Sequence, residues 1–356
     1  MKKYILLLSA LLILPACNPE KYSKGNDGEE NQPVEAAQFV KGADISWVTE
    51  MEDKGYLFYD NKGKATECTA LMKELGMNAI RLRVWVNPLD DPRNGGRSYN
   101  DAADVLKKAL RVKALGMKLM IDFHYSDYWA DPGKQTIPAA WKNLDTDAMA
   151  KALAAHTAEV LELLKTNGVD VDWVQVGNEV TSGMLWETGR VKGQEASSFC
   201  KLFTAGRDAV KSVFPDAEVI LHVDNSWKME TLSWFFDLMS SKKLNYDVIG
   251  LSLYPSYWQE GGYPDWREKT VAAVDNFQAL HAKYGKPVFL VEFGMPAAKP
   301  VESKESLQFL MDKTAAFSWF EGIMLWEPES EKSRNAYEYG AFSNGTATIA
   351  LDPFKN

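Results

Sequence analysis

The chain has 356 residues, of which 46% are hydrophobic and 25% are charged, and its formal net charge is -9. This composition is typical of a globular protein and excludes disorder over most of the length. The acidic balance argues against nucleic acid as a partner, because phosphate binding needs clustered Lys and Arg, and it favours a neutral or weakly charged ligand.

The first residues predict an exported protein. Residues 1–17 begin with a charged start, continue with a largely apolar run from Ile5 to Leu14, and end in a Leu-Pro-Ala-Cys sequence at Cys17. The run has the length of a signal peptide and is too short to remain in the bilayer as a helix. Its ending resembles a bacterial lipobox, so we expect lipidation of Cys17. The alternative is plain secretion with an incidental cysteine.

Lipidation would place the protein at the bacterial cell envelope, tethered to the membrane through the lipid anchor alone. Residues 18–38 are rich in Pro, Gly, Asn, Lys and Glu and predict a flexible tether, which is compatible with display at the cell surface. No second linker follows, so residues 39–356 are predicted to form one catalytic domain. We expect a monomer.

Short apolar runs alternate with longer segments of helical periodicity throughout this domain, which is the pattern of βα units around a parallel sheet. Eight strands with helices between them predict the α/β class and a single-domain (β/α)8 TIM barrel. The candidate strands are 41–46, 78–86, 117–124, 171–179, 217–223, 246–254, 287–292 and 322–327; the candidate helices are 65–75, 102–115, 146–165, 196–213, 227–241, 266–283 and 304–318.

Two glutamates close candidate strands at the end where barrel enzymes hold their active sites. Glu179 ends the fourth strand and Glu292 ends the seventh. Because side chains alternate along a strand, we expect Gln175 to share a face with Glu179, and Val288 and Leu290 to share a face with Glu292, with both carboxylates toward the barrel axis. Two such carboxylates are what retaining glycoside hydrolysis requires. The alternative is that each is an ordinary strand-end residue.

Other strand ends supply polar and aromatic side chains that suit a sugar. Arg81 fits an internal ion pair with Asp44 or Asp122 as well as it fits sugar contact, and Arg83 is the better candidate for the site. The Trp residues either fill the core or stack on sugar rings. The candidate substrate-binding residues are Asp44, Arg83, Trp85, His124, Trp129, Tyr254 and Trp326. The histidines lack metal-ligand spacing, so we expect no metal and no other cofactor.

The stretches 42–46, 78–85, 122–132, 175–179 and 325–328 resemble the arabinogalactan endo-β-1,4-galactanases, glycoside hydrolase family 53, within a clan of retaining (β/α)8 glycosidases. The Asn-Glu pair that ends in Glu179 is shared across that clan. The Phe-His-Tyr-Ser-Asp and Trp-Ala-Asp-Pro run over 123–132 is more particular to the galactanases. The resemblance covers nearly all of the predicted catalytic domain.

This resemblance implies endo-hydrolysis of β-1,4-galactan, the side chain of pectin and type I arabinogalactan, with retention at the anomeric carbon. Glu179 would be the proton donor, Glu292 the nucleophile, and Asn178 a partner of the sugar 2-hydroxyl. The mechanism calls for a raised pKa at Glu179 and a normal or lowered pKa at Glu292. The short segment 295–303 lacks the acidic calcium-binding run of some bacterial members, so no calcium is expected there.

Two other functions remain open at this point. The first is the same chemistry on another β-glycan, such as mannan or cellulose, since the fold and the glutamate pair leave the sugar undetermined. The second is a lipid-anchored surface protein that binds glycans without cutting them.

Overall fold

A computed structural model of the chain describes residues 39–257 and 259–355. The predicted signal peptide 1–17, Cys17 and the tether 18–38 lie outside the described residues.

Eight parallel strands close into a barrel, as the alternating pattern predicts. Each strand pairs with its neighbours in the chain, and the last pairs with the first. The strands are β1 (Val40–Asp44), β2 (Ala79–Val84), β3 (Lys118–Phe123), β4 (Trp173–Val176), β5 (Glu218–Val223), β6 (Val248–Leu253), β7 (Val288–Phe293) and β8 (Phe320–Trp326). They are buried along nearly their whole length, because helices cover the outside of the barrel and side chains fill the inside.

Helices follow the barrel strands, and all but the last of them lie between successive strands. They are α1 (Val48–Asp53), α2 (Cys68–Glu74), α3 (Ala102–Ala114), α4 (Thr146–Thr166), α5 (Ser197–Val213), α6 (Met229–Ser241), α7 (Trp266–Tyr284), α8 (Pro300–Thr314) and α9 (Lys332–Asn335). Within the described residues, no helix has the length and apolar character needed to cross a membrane.

Two predicted helices begin elsewhere than expected. The helix predicted over 65–75 starts only at Cys68, because the Glu67 side chain accepts hydrogen bonds from the backbone N–H groups of the first turn. The two residues before Glu67, Ala65–Thr66, form a short strand paired with Phe58–Tyr59. The helix predicted over 304–318 spans Pro300–Thr314 and has a proline in its first turn, where the missing N–H costs no hydrogen bond.

Two small sheets of two-residue strands lie outside the closed barrel, and the sequence did not predict them. A four-stranded sheet joins Phe58–Tyr59 and Ala65–Thr66 to Phe342–Ser343 and Thr346–Ala347, so segments from both ends of the domain pair with each other. A two-stranded hairpin follows β4. These two-residue strands are too short to carry a periodic signal.

One apolar layer fills the barrel interior and is separate from the core between the strands and the helices. Every strand contributes to the interior layer, which comprises Val40, Ala79, Met120, Trp173, Ile220, Val248, Phe289, Val291 and Met324. The interior is therefore a packed core and not a channel. Side chains one pleat further along β2, β3, β4 and β5 are polar, and they form the floor of the candidate site.

Candidate active site

Glu179 lies just beyond the end of β4. That strand stops at Val176, and Gly177 and Glu179 both adopt left-handed backbone conformations, with φ of 94° and 47°. A short 3-10 helix, Val180–Ser182, follows directly. The expected alternation from Gln175 to Glu179 is therefore wrong beyond Val176, because a turn and not a strand sets the direction of the Glu179 side chain.

A β-bulge turns Glu292 into the site. Leu251 of β6 pairs with Leu290, but the next residue, Ser252, pairs with Glu292, so β7 carries one extra residue at this point. Phe289 and the extra residue, Val291, face the barrel interior, whereas Val288 and Leu290 face the helices. The prediction that Val288 and Leu290 share a face with Glu292 is wrong, since the bulge reverses the alternation.

The two carboxylates meet at the carboxyl ends of the strands, as predicted. Oxygen atoms of Glu179 and Glu292 lie within 4.8 Å of each other. Glu292 is 5% exposed, and Glu179 is partly exposed. A separation this short matches retaining glycosidases, in which no water has to fit between the two groups, and is too short for inverting ones.

Arg81, and not Arg83, contacts Glu292. Nη2 of Arg81 lies 3.0 Å from Oε1 of Glu292, and the hydroxyl of Tyr254 donates to Oε2 at 2.9 Å. Arg81 also forms ion pairs with Asp44 at 2.7 Å and Asp122 at 2.8 Å, so the internal ion pair considered in the sequence is present with both candidate partners, whereas Arg81 is 0% exposed and offers no surface to a sugar. The guanidinium fork holds several carboxylates at once because its five N–H groups point in fixed directions.

The two carboxyl groups differ in their charge environment. Burial raises the pKa of Glu292 to about 7, against the opposing effect of the Arg81 charge. Burial raises the pKa of Glu179 well above its ordinary value, and the Glu292 charge raises it further. The expectation of a normal or lowered pKa at Glu292 is wrong, because burial outweighs Arg81. No cation among the described residues contacts Glu179, so the proton that the pair retains lies on Glu179.

Two of the predicted sugar contacts are enclosed by protein. Arg83 is 0% exposed, binds Glu327 at 2.5 Å, and has its guanidinium 4.0 Å from the ring centre of Trp129. Asp44 is also 0% exposed and accepts hydrogen bonds from Arg81 and Ser46. Neither has surface left for a sugar, which corrects the expectation of direct contact. Both instead support the residues that line the cleft.

Aromatic rings form one wall of the cleft. The partly exposed rings of Trp129 and Trp326 lie 5.7 Å apart with their planes inclined by 66°, and Trp47 packs within 5.5 Å of both. Trp85 is almost fully buried behind Trp129. Trp47 was not predicted from the sequence, although its position three residues after β1 was a usable signal. Tyr337 completes the wall, 4.7 Å from Trp326, and no local signal marked it.

His124 and Asn178 are nearly buried and hold neighbouring groups in place. Nε2 of His124 lies 3.0 Å from Asp122, and its Nδ1 accepts from the backbone of Ala130. The Asn178 amide donates one hydrogen to the Ala130 carbonyl at 2.9 Å and accepts from Arg81 at 3.0 Å. An amide has two N–H donors, so one donor of Asn178 is left for a ligand.

A pocket of about 230 Å³ opens on the Glu179 side of the site. It is lined by Asp224, Trp227, Ser252, Tyr254, Tyr257 and Lys269, together with Glu179. Lys269 donates to the Tyr257 carbonyl at 2.5 Å and lies 4.4 Å from the ring centre of Trp227. Of these residues, only Glu179 and Tyr254 were predicted to belong to the site.

Among the described residues, Glu179, His222 and Glu292 bring potential metal ligands within 4.8 Å of one another. Both ring nitrogens of His222 are already hydrogen-bonded, to Gln175 and to Ser252, each at 2.8 Å. A cation would have to break one of these buried bonds, so the donor set fits a hydrogen-bonded centre better than a metal centre.

Comparison with known proteins agrees with this geometry. The model of glycosyl hydrolase family 53 matches residues 40–346. An endo-β-1,4-galactanase of Bacillus subtilis (strain 168) is 33% identical over 304 residues, covering 82% of this chain and 67% of the relative. A probable arabinogalactan endo-β-1,4-galactanase A of Neosartorya fischeri is 34% identical over 273 residues, covering 74% and 72%.

A solved structure from a study of two fungal β-1,4-galactanases has a TM-score of 0.79 at 26% identity, covering 88% of this chain and 98% of its own. The similarity thus extends over the whole barrel and includes the strand ends that hold Glu179 and Glu292. The protein is a glycoside hydrolase, and the chain belongs to glycosyl hydrolase family 53.

Proposed function

We propose that the protein cuts internal β-1,4 linkages of galactan with retention at the anomeric carbon. The observation that carries this proposal is the pair of carboxylates within 4.8 Å, one bonded to Arg81 and the other with no cation partner in the part of the chain that the structure describes. The choice of galactan is supported by the relatives in Bacillus subtilis and Neosartorya fischeri, whose names state this activity.

The first step forms a bond between a Glu292 oxygen and the anomeric carbon while the bond to the leaving oxygen breaks. Glu179 transfers its proton to that oxygen, so the leaving sugar departs as a neutral alcohol. Arg81 and Tyr254 favour the ionised form of Glu292 that this attack needs.

In the second step, Glu179 is a carboxylate and takes a proton from water as the water attacks the same carbon. The bond to Glu292 breaks as the bond to water forms, its electrons return to the Glu292 carboxylate, and the sugar is released with its original configuration. Once Glu292 is bonded to the sugar, it no longer carries the charge that raised the pKa of Glu179, so the same group can work as acid and then as base.

The aromatic wall and Asn178 are proposed to bind the sugar chain. The faces of Trp129 and Trp326 offer flat apolar area to pyranose rings. The remaining N–H of Asn178 supplies a donor close to Glu292 for the 2-hydroxyl. Tyr254 and His124 are proposed to contact the sugar at the edge of the polar floor of the site. Trp85 packs against Trp129 and supports it.

The direct test is chromatography of the products from potato-type galactan, lupin galactan, β-mannan and carboxymethyl-cellulose. Galacto-oligosaccharides from the galactans alone are the expected result. Cleavage of mannan or cellulose would assign another β-glycan. Binding of galactan without cleavage would make the protein a surface glycan-binding protein.

Variants of the two glutamates separate their roles. Glu292→Ala should reduce galactan hydrolysis by about 10⁴-fold or more, because it removes the nucleophile. Glu179→Ala should lose about 10²- to 10⁴-fold on galactan but much less on a dinitrophenyl galactobioside, whose leaving group needs no proton. Thermal melting should be unchanged in both. Equal losses on both substrates for Glu179→Ala would contradict the assignment.

We also propose that the protein is a monomer anchored to the cell envelope through a lipid on Cys17. The Leu-Pro-Ala-Cys sequence supports the anchor. Cells fed labelled palmitate should label the natural protein and not Cys17→Ala, and the variant should leave the membrane fraction. A Cys17→Ala protein that remained with the membranes would argue against this anchor.

A further inference from the structure

A chain of buried hydrogen bonds connects Arg81, which holds the nucleophile, to Glu179. Nε of Arg81 lies 2.7 Å from Oε1 of Gln175, and Nε2 of Gln175 lies 2.8 Å from Nδ1 of His222. Nε2 of His222 lies 2.8 Å from Oγ of Ser252, which lies 2.8 Å from Oε1 of Glu179. Arg81, Gln175, His222 and Ser252 are all buried, on β2, β4, β5 and β6.

The donor and the acceptor of every hydrogen bond in this chain follow from Arg81, the first residue of the chain of bonds. A guanidinium can only donate, so the Gln175 atom facing Arg81 must be the carbonyl oxygen. This fixes the orientation of the amide and leaves its N–H groups for the other two partners, Nδ1 of His222 and Oδ1 of Asp122, the latter at 3.1 Å.

Nδ1 of His222 must therefore be an acceptor without a proton. The backbone N–H of Glu179 also points at this nitrogen, at 3.3 Å. The single ring proton is then on Nε2, which donates to Ser252. Burial lowers the pKa of His222 well below its ordinary value, as does the charge of Arg81, so the ring stays neutral.

Ser252 has one hydrogen, and its oxygen already accepts from His222. Oε1 of Glu179 is the acceptor within reach of this hydrogen, so the hydroxyl donates to Oε1 of the carboxylate at 2.8 Å. The same bond persists in protonated Glu179 when the proton is on its other oxygen, Oε2, whereas a proton on Oε1 would use the second lone pair of Ser252 and leave the serine hydrogen without this acceptor.

We propose that Gln175, His222 and Ser252 are positioning residues that keep a permanent donor on Oε1 of Glu179 and confine the exchanged proton to Oε2. The proposal rests on the proposed role of Glu179 as acid and base. A donor that cannot reverse stabilises the carboxylate form between the two steps, and it holds the proton on one side of the group.

Other groups around Glu179 act on its charge as well. Glu292 from β7 and Asp224 after β5 raise its pKa, while Arg81 from β2 lowers it. Tyr254 from β6 and His222 from β5 face the same site, with the tyrosine pKa raised and the histidine neutral. Replacing Ser252 leaves all of these in place, so the effect of its hydroxyl can be isolated.

The test compares Ser252→Ala with Ser252→Thr, which keeps the hydroxyl. Loss of the donor should raise the pKa of Glu179, so the alkaline limb of kcat/KM on galactan should move up by about one pH unit in Ser252→Ala. In Ser252→Thr, the alkaline limb of kcat/KM should lie at the same pH as in the unmodified protein. Ser252→Cys keeps the shape with a weak donor and should move it in the same direction as Ser252→Ala. Ser306→Ala, a buried serine on α8, is the matched control and should leave the profile unchanged.

Carbon-13 NMR titration of the Glu179 carboxyl, assigned with Glu179→Gln, measures the same shift without substrate. It separates the two proposals, because it can succeed even if galactan is not the substrate. An unshifted titration and an unshifted alkaline limb in Ser252→Ala would overturn the positioning role. So would equal shifts in Ser252→Ala and Ser252→Thr.

Discussion

Several residues at the strand ends adopt backbone conformations that side chains rarely take. Tyr125, Glu179, Asn225 and Glu327, which follow β3, β4, β5 and β8, have φ between 46° and 50°. Each such residue costs on the order of 1–3 kcal/mol and persists only where its surroundings hold it in place. At Glu179 this conformation aims the carboxyl at Glu292 and at Ser252. The free-energy cost of this backbone conformation therefore falls on a residue whose carboxyl group must point in a fixed direction.

Tyr254 is the residue whose effect on the nucleophile can be measured most directly. Its hydroxyl donates to Oε2 of Glu292 at 2.9 Å, which favours the ionised carboxylate. Tyr254→Phe should raise the pKa of Glu292 above about 7. Because Glu292, as the proposed nucleophile, reacts only when ionised, we expect the acidic limb of kcat/KM to move to higher pH, with about a 10-fold loss of activity on that side.

Tyr284→Phe is the matched control for this variant, since Tyr284 donates to Asp237 at 2.8 Å on the outside of the barrel. Its pH profile should equal that of the unmodified protein. An acidic limb that stays in place in Tyr254→Phe would show that the hydroxyl does not set the ionisation of Glu292.

At the scale of elements, the segment between β5 and α6 determines one side of the site. Trp227 lies in this segment and lines the pocket beside Glu179, with Tyr263 packed edge-on at 5.9 Å. In the proposed mechanism Glu179 protonates the leaving oxygen, so the departing part of the polysaccharide would lie on this side. Trp227 is therefore placed to stack on the leaving sugar.

Trp227→Ala should lower kcat/KM on galactan by about 10- to 100-fold, the usual range for a lost stacking surface. Hydrolysis of a dinitrophenyl galactobioside should change little, because its leaving group is not a sugar. Trp234→Ala, a partly exposed tryptophan on α6 whose N–H bonds to Gly193, should affect neither substrate. Equal losses on both substrates in Trp227→Ala would place the leaving sugar elsewhere.

The bulge in β7 is a feature of a single element that the sequence did not predict. The apolar run before Glu292 identifies the strand, but nothing in it marks Val291 as the extra residue. Bulges depend on how two neighbouring strands twist against each other, and the partner, β6, is about 40 residues earlier in the chain. The face that each side chain occupies was therefore mistaken although the strand was found.

For the whole molecule, the barrel, its eight strands and the positions of Glu179 and Glu292 were predictable from local pattern. Buried parallel strands leave continuous apolar runs, helices leave a 3.6-residue period, and the carboxyl ends of the strands meet at one mouth whatever the loops contain. The Leu-Pro-Ala-Cys sequence that ends at Cys17 is also a local signal, and the lipid anchor that it indicates stays a prediction.

The choice of Arg81 over Arg83 as the partner of Glu292 was not predictable, nor was the chain of bonds from Arg81 to Glu179. Arg81 and Glu292 are 211 positions apart, and Ser252 and Glu179 are 73 apart. Which residues come into contact depends on the strand register, on the bulge in β7 and on how far along β2 each side chain lies, since Arg81 and Arg83 are one pleat apart. These are properties of strands packed against each other, and no single stretch of residues contains them.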